Sequence, residues 1–395
     1  MTNQRLAKRI ISAVLVLVMV VGVCPIQAFA VGMHADVPDG SRLPFTQVED
    51  VNADVLHEAA KVTQPEEEVP YADTDVVRVS IVLNKQATLE IYSAVDVADN
   101  AAAMAYRARL ENEHASVISR IEKNVLGGES LDVVWNMTLA ANIISANVLY
   151  GQMEEIAAVK GVKDVFLENQ YEPLENDSAK ADPMMSTSPA MIGTHDAWAG
   201  GYTGAGTRIA VIDTGLDTDH QSFNNEAYLH SLRQNAEAKG MSFEAYVESL
   251  DLLDTAEIAG VLEDLNVYAF VEHLGGTSTG AYYVSEKIPF AINYVDSNYE
   301  YTHDNDGVGD HGSHVAGIAT ANRYVPSGDG FANALTEVQM QGVAPDAQVI
   351  VMKVFGNTGG AYESDYMVAI EDAIMLGCDA VNLSLGSDKG FSRNA

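Results

Sequence analysis

From Val76 onward the chain switches between two hydrophobic periods. Val77-Arg78-Val79-Ser80-Ile81-Val82-Leu83 has the apolar-polar alternation of a strand. A long helix follows, in which Leu110, Val117, Ile118, Ile121 and Val125 recur at helical spacing. Residues 131–137 and 143–149 read as two further strands. A short helix around Met153, Ile156 and Ala157 then leads into a last strand at 162–168. The order β-α-β-β-α-β predicts a split βαβ module of about a hundred residues. Such a module is a generic α+β domain and carries no function of its own.

The second half has a different texture. Arg208-Ile209-Ala210-Val211-Ile212-Asp213 is a nearly unbroken apolar run that ends in an acid, as expected of a strand buried on both faces of a parallel sheet. Similar runs recur at 347–354 and 378–385. Between them Met367, Ile370 and Ile374 mark one face of a helix whose first turn holds Asp365. Strand, helix and strand at this spacing predict a doubly wound α/β domain. Residues 222–302 are mixed and poorly periodic and read as an insertion. Two polar, proline-dotted stretches, 31–75 and 174–189, read as linkers. The expected organisation is a leader (1–30), a linker (31–75), the α+β module (76–173), a second linker or processing region (174–189) and the α/β domain (190–395).

Composition narrows the class. The chain has 395 residues, 22 Lys plus Arg against 56 Asp plus Glu, and a net charge of −34. A field of that sign excludes nucleic acid and anionic membrane as partners and keeps a soluble protein dispersed. Arg5, Lys8 and Arg9, an apolar run at 10–23 and Ala28-Phe29-Ala30 form a secretory signal pattern. The run is shorter than the roughly 20 residues that span a bilayer. Without the leader, Cys378 is the one remaining cysteine, so no internal disulfide is expected.

In a parallel sheet functional groups gather at the carboxyl ends of the strands. Asp213 sits at such an end, before the sharp Thr214-Gly215 turn. Asp310-His311-Gly312-Ser313-His314-Val315-Ala316-Gly317 reads as a turn entering a helix. His311 falls at the helix start, where the positive end of the dipole suits the neutral imidazole that a general base requires. Gly312 and Gly317 let neighbouring backbone come close.

Four segments in this order, Ala210-Val211-Ile212-Asp213-Thr214-Gly215, His311-Gly312-Ser313-His314-Val315-Ala316-Gly317, Gly342-Val343-Ala344-Pro345 and Val381-Asn382-Leu383-Ser384-Leu385-Gly386, resemble the successive signatures of the subtilisin (subtilase) family of serine proteases. The likeness covers about residues 190–395. Around 287–294 the wording is closer to large cell-envelope members of the lactocepin and C5a-peptidase type. The resemblance implies a partial subtilisin-like doubly wound parallel sheet, preceded by a ferredoxin-like α+β domain that resembles the family's inhibitory propeptide. It further implies a secreted endopeptidase that hydrolyses peptide bonds in proteins through an Asp-His-Ser triad. Asp213 would orient and stabilise the imidazolium of His311, which takes the serine proton and returns it to the leaving amine. Ser384, Leu385 and Gly386, with Gly359 and Gly360, match strands that flank extended substrate. No cofactor is required for that chemistry. The partners implied are protein or peptide substrates and the chain's own propeptide.

The departures are specific. The family's Gly-Thr-Ser-Met-Ala motif and its oxyanion asparagine have no match at the corresponding positions. The chain therefore reads as a precursor fragment without its nucleophile, and is expected to be inactive as it stands. Ser313 replaces the usual threonine, and Asp213 and His311 lie 98 positions apart, which fits an inserted segment.

Rival motifs fail on context. Gly276-Thr277-Ser278-Thr279-Gly280 matches a nucleophile elbow, but Ala281-Tyr282-Tyr283-Val284 after it is strand-like, where an elbow leads into a helix. His311 and His314 lack the glutamate of a zinc-peptidase motif. His314 reads as a packed helix residue. Asp304, Asp306, Gly307 and Asp310 resemble part of a calcium loop without its closing glutamate, leaving room for a structural calcium ion. The alternative from another class is a non-catalytic inhibitor or chaperone module, or a pseudoenzyme.

Overall fold

The computed structural model describes residues 71–171, 188–274, 281–302, 307–357 and 360–385. The leader, the first linker up to residue 70 and residues 172–187 lie outside the described residues. So do Gly359, Gly386, Ser278, Asp304 and Asp306.

The first module is built from β1 (Val76–Leu83), α1 (Ala101–Asn124), β2 (Asp132–Met137), β3 (Ile143–Leu149), α2 (Met153–Ala157) and β4 (Val162–Leu167). Its sheet is antiparallel, in the order β2-β3-β1-β4. Asn100 starts α1 by accepting the N–H groups of Ala102 and Ala103 at 3.1 and 3.2 Å. Val117 and Ile121 of that helix pack on Val77, Val79, Ile81 and Leu83, the inward set of β1. The outward set includes Arg78 and Ser80, and Ser80 is buried as well. A polar residue buried on a strand's second face means that this face is also covered.

Its cover is the α/β part. β6 (Arg208–Asp213), β7 (Phe290–Asn293), β10 (Gln348–Lys353) and β12 (Ala380–Leu383) form a parallel sheet in the order β12-β6-β10-β7. Ala210, Ile212, Ile350 and Met352 pack on one side with Val368, Ala369 and Ala373 of α8 (Glu363–Met375). Val211, Val349 and Val351 pack on the other with Val315 and Ala316 of α7 (His311–Thr320). Two covered faces explain the unbroken apolar runs. Among the described residues β12 is an outer strand of this sheet, with Val381 and Leu383 exposed.

Two expectations need correcting. The segment 222–302 is not wholly an insertion, because β7 lies within it and pairs with β10. Ahead of β7 come four short helices, α3 (Asn225–Ala238), α4 (Phe243–Leu250), α5 (Thr255–Val261) and α6 (Tyr268–His273). Asn224, Ser242 and Asp254 accept N–H groups at the starts of the first three. The strand expected at 281–284 is a turn followed by irregular chain. Among the described residues no helix is long and apolar enough to cross a membrane.

The carboxyl end of α7 is closed by a side chain from another element. Lys287 is fully buried and donates to the carbonyls of Thr320, Pro345 and Ala347 at 2.7, 3.0 and 2.7 Å. A cation suits the negative end of a helix. Burial nonetheless pushes this ammonium down to about 7, against the pull of Asp346. Replacing Lys287 by methionine keeps the packing and strands three buried carbonyls. Lys287→Met is expected to lower unfolding stability by about 3 kcal/mol or more in denaturant titration; an unchanged midpoint contradicts this.

Buried Asp372 in α8 gives a pH dependence. It accepts from the Asn266 and Val267 backbone and from the Tyr294 hydroxyl, yet burial still lifts its carboxyl to about 7. A carboxyl raised on folding adds stability that is full below its unfolded value near 4 and is lost as pH rises through about 7. Denaturation midpoints should therefore fall between pH 5 and 7, with a shallower slope in Asp372→Asn. A slope identical in both proteins rules the assignment out.

Candidate active site

Strand β6 carries Asp213 at its carboxyl end, and α7 begins at His311. The carboxylate is 1% exposed and the imidazole 12%. His311 Nδ1 lies 2.8 Å from Asp213 Oδ1. Against an ionised Asp213 this contact requires a proton on Nδ1, because a carboxylate can only accept. Oδ1 also accepts the Thr214 N–H at 2.7 Å, and Oδ2 is buried without a hydrogen-bond partner among the described residues.

The pair meets because the two turns have no side chains between them. Gly215, at φ +110°, could not carry a Cβ without striking the Tyr301 carbonyl. A Cβ on Gly312 would run into the Gly215 carbonyl and stand 2.9 Å from its nitrogen. With both glycines bare, the Gly312 N–H reaches Thr214 Oγ1 at 2.9 Å, and Thr214 Oγ1 in turn donates to the Gly309 carbonyl at 3.3 Å. Ser313 Oγ accepts the Asp217 N–H at 2.8 Å, a bond that needs only a hydroxyl and so tolerates serine for threonine. His314 is exposed on α7, not packed as expected, since the helix turns it away from the sheet.

Lys353 went unnoticed in the sequence. It is fully buried, lies in register with Asp213 across β10 and β6, and donates to the Thr214 carbonyl at 2.5 Å. Next to it the Val354 N–H bonds the Asp213 carbonyl at 2.9 Å. The signal was present: one lysine inside the apolar run 347–354 has to be buried with a partner.

Gly360 lies beside an extended segment. β11 (Ala361–Tyr362) pairs antiparallel with β5 (Gln170–Tyr171), the strand that follows β4 of the first module. Gln170 Nε2 donates to the Gly360 carbonyl at 3.3 Å, and a Cβ at Gly360 would overlap the Tyr171 carbonyl. Ser384 and Leu385 follow β12 at the other side of β6. Ser384 bonds Asn382 within its own turn, and Leu385 packs on the main core.

The module is fastened to α8 by carboxylates. Glu168 Oε2 accepts the Ser364 hydroxyl and N–H at the helix start, at 2.7 and 3.3 Å. Asp365 accepts from Arg78 at 3.0 Å and from the Trp135 indole at 2.8 Å. Glu371 Oε1 accepts the N–H groups of Leu139, Ala140 and Ala141 at 2.9, 2.7 and 3.2 Å. Burial pushes the carboxyls of Asp365 and Glu371 upward, and Arg78 and Arg107 respectively pull them back.

A parallel sheet with a buried Asp–His pair at its carboxyl rim, beside an edge that receives extended chain, describes a subtilase-type domain. Residues 204–395 match the Subtilase family profile and carry a domain of that family. The PI-type proteinase of Lactococcus lactis subsp. cremoris is 29% identical over 325 residues, which cover 78% of this chain and 14% of that protein. The PII-type proteinase of Lacticaseibacillus paracasei is 31% identical over 282 residues, 70% of this chain and 12% of the relative. The C5a peptidase of Streptococcus pyogenes serotype M6 is 28% identical over 213 residues, 53% of this chain and 14% of the relative. The chain thus spans about a seventh of the length of the lactococcal relative. Among solved structures, an epidermin leader peptide processing serine protease from Staphylococcus aureus aligns over 79% of this chain at 15% identity, with a TM-score of only 0.38.

If the Gly215–Gly312 contact holds the pair, one methyl there must push the turns apart. Gly312→Ala is expected to cost about 1–3 kcal/mol in denaturant titration, and Ser313→Ala less. A Gly312→Ala protein as stable as the parent excludes this close approach.

Proposed function

We propose that this chain is the propeptide and the Asp- and His-bearing part of a secreted serine endopeptidase that cleaves polypeptide substrates. The observation that carries the reading is the 2.8 Å contact of His311 Nδ1 with buried Asp213 at the rim of the parallel sheet. With Nδ1–H held by Asp213, Nε2 takes the proton of a serine hydroxyl as it attacks the scissile carbonyl. Nε2 then returns the proton to the departing amine. Asp213, in contact with Nδ1, stabilises the imidazolium between those steps. The same chemistry also requires a nucleophilic serine and an oxyanion donor.

Extended substrate adds as a strand to β11, where backbone groups give affinity and side-chain pockets give preference. In this chain Gln170 and Tyr171 lie on that edge, which supports reading residues 76–171 as an inhibitory propeptide whose tail blocks the cleft. Export is supported by the leader pattern and by the similarity to proteins such as the Minor extracellular protease Vpr of Bacillus subtilis, 28% identical over 246 residues.

The test uses the protein as produced from its gene. A fluorophosphonate should label one serine, and His311→Ala should abolish the label. Asp213→Asn should lower kcat by about 10⁴-fold with KM little changed. The 395-residue chain alone should take no label. Stoichiometric label on Ser278, or full activity in Asp213→Asn, overturns the proposal.

A further inference from the structure

We propose that the inserted segment around α6, residues 262–271, is a docking face for the module 76–171, selective for a partner presenting Arg107 and Trp135. This rests on the propeptide reading and adds to it where recognition lies. The strand pairing at Gln170–Tyr171 is two residues long and reads backbone, so it cannot by itself distinguish one propeptide from another.

The inserted segment supplies the missing specificity. Arg107 of α1 is 4% exposed; its Nη1 donates to the Asp264 carbonyl at 2.7 Å and its Nε to Thr138 Oγ1 at 3.2 Å. Trp135 of β2 is 7% exposed, with Phe270 edge-on at 6.4 Å and Tyr294 tilted at 6.2 Å from its ring. Asn266 Nδ2 donates to Glu371 Oε2 at 3.2 Å, while Oε1 of the same carboxylate receives the three N–H groups of the module. Leu262, Leu265, Val267 and Val271 share one apolar cluster with Val97, Ala103, Met137 and Leu139 of the module.

These contacts discriminate in both directions. A buried guanidinium is tolerated only with acceptors in place, so Arg107 requires the Asp264 carbonyl and the field of Glu371 and Asp372. Conversely, a module without an arginine there leaves those acidic groups without their cation. Clefts of about 370 and 280 Å³ flank Trp135 and Arg107, so the seam is not packed throughout and the hold falls on a few anchors. The module therefore stays bound after the polypeptide is cut between residues 171 and 188, and the inserted segment adds to the α8 contacts in setting how fast it leaves.

The experiment uses the full chain with a site-specific protease sequence placed at 176–182, cut once, and follows release of the N-terminal part by size-exclusion chromatography. The two parts should co-elute in the parent. Phe270→Ala, on the inserted segment, and Arg107→Ala, on the module, should each speed release by about tenfold or more. Glu363→Gln, which weakens only the tail contacts to Asn169 and Tyr171, should change it far less. Hydrogen exchange at the Ile81–Ile144 pair, whose side chains lie in the module's own core, should stay as in the parent and show that the module remains folded. Immediate separation in the parent, or release in both variants as slow as the parent's, overturns the proposal. None of these readouts needs proteolysis by the protein itself. A docking face can thus fail while the protease assignment stands, and the reverse.

Discussion

Two backbone turns that touch without side chains between them hold the site together. Asp213 ends a strand and His311 begins a helix, 98 positions later. Their contact depends on Gly215 and Gly312 leaving room for Thr214 to bridge the turns, as its hydroxyl does with the Gly312 N–H and the Gly309 carbonyl. The sheet then fixes the height of Asp213 through Lys353 and Val354 on the neighbouring strand. Lys287 anchors the far end of the same helix by its last carbonyl. Asp213 is held in its buried position by its contacts with His311 and the Thr214 N–H.

The same economy governs the seam between the module and the α/β domain. Helix α8 brings Asp365, Glu371 and Asp372 into burial, which raises all three carboxyls. Each is held by donors from more than one segment: Arg78 and Trp135 from the module, and Asn266 from the inserted residues. Such groups add little net stability, because desolvation opposes their attraction, but they make a mismatched partner expensive. The seam thus favours one partner over others more than it strengthens the fold.

Much of this was legible in the sequence, and the remainder was hidden for definable reasons. The runs at 143–149 and 208–213 are strands over those same residues, because one alternates and the other is apolar throughout. Phe290–Asn293 escaped because four buried residues have no period to detect. Helices α4, α5 and α6 escaped because each is only 6 to 8 residues long. Asp213 and His311 were found through ordered motifs, since no spacing rule joins residues 98 apart. Lys287 and Lys353 look like surface lysines until the carbonyls that surround them are known. Arg107 and Asp264 belong to segments 157 positions apart, and nothing local in either announces the other.

The central claim is the hydrogen bond between His311 and Asp213, and side-chain nitrogen NMR of His311 tests it most directly. The account predicts a proton on Nδ1, shifted strongly downfield and lost in Asp213→Asn, with Nε2 bare at neutral pH. A bare Nδ1 with the proton on Nε2, or a spectrum unchanged by that substitution, contradicts it.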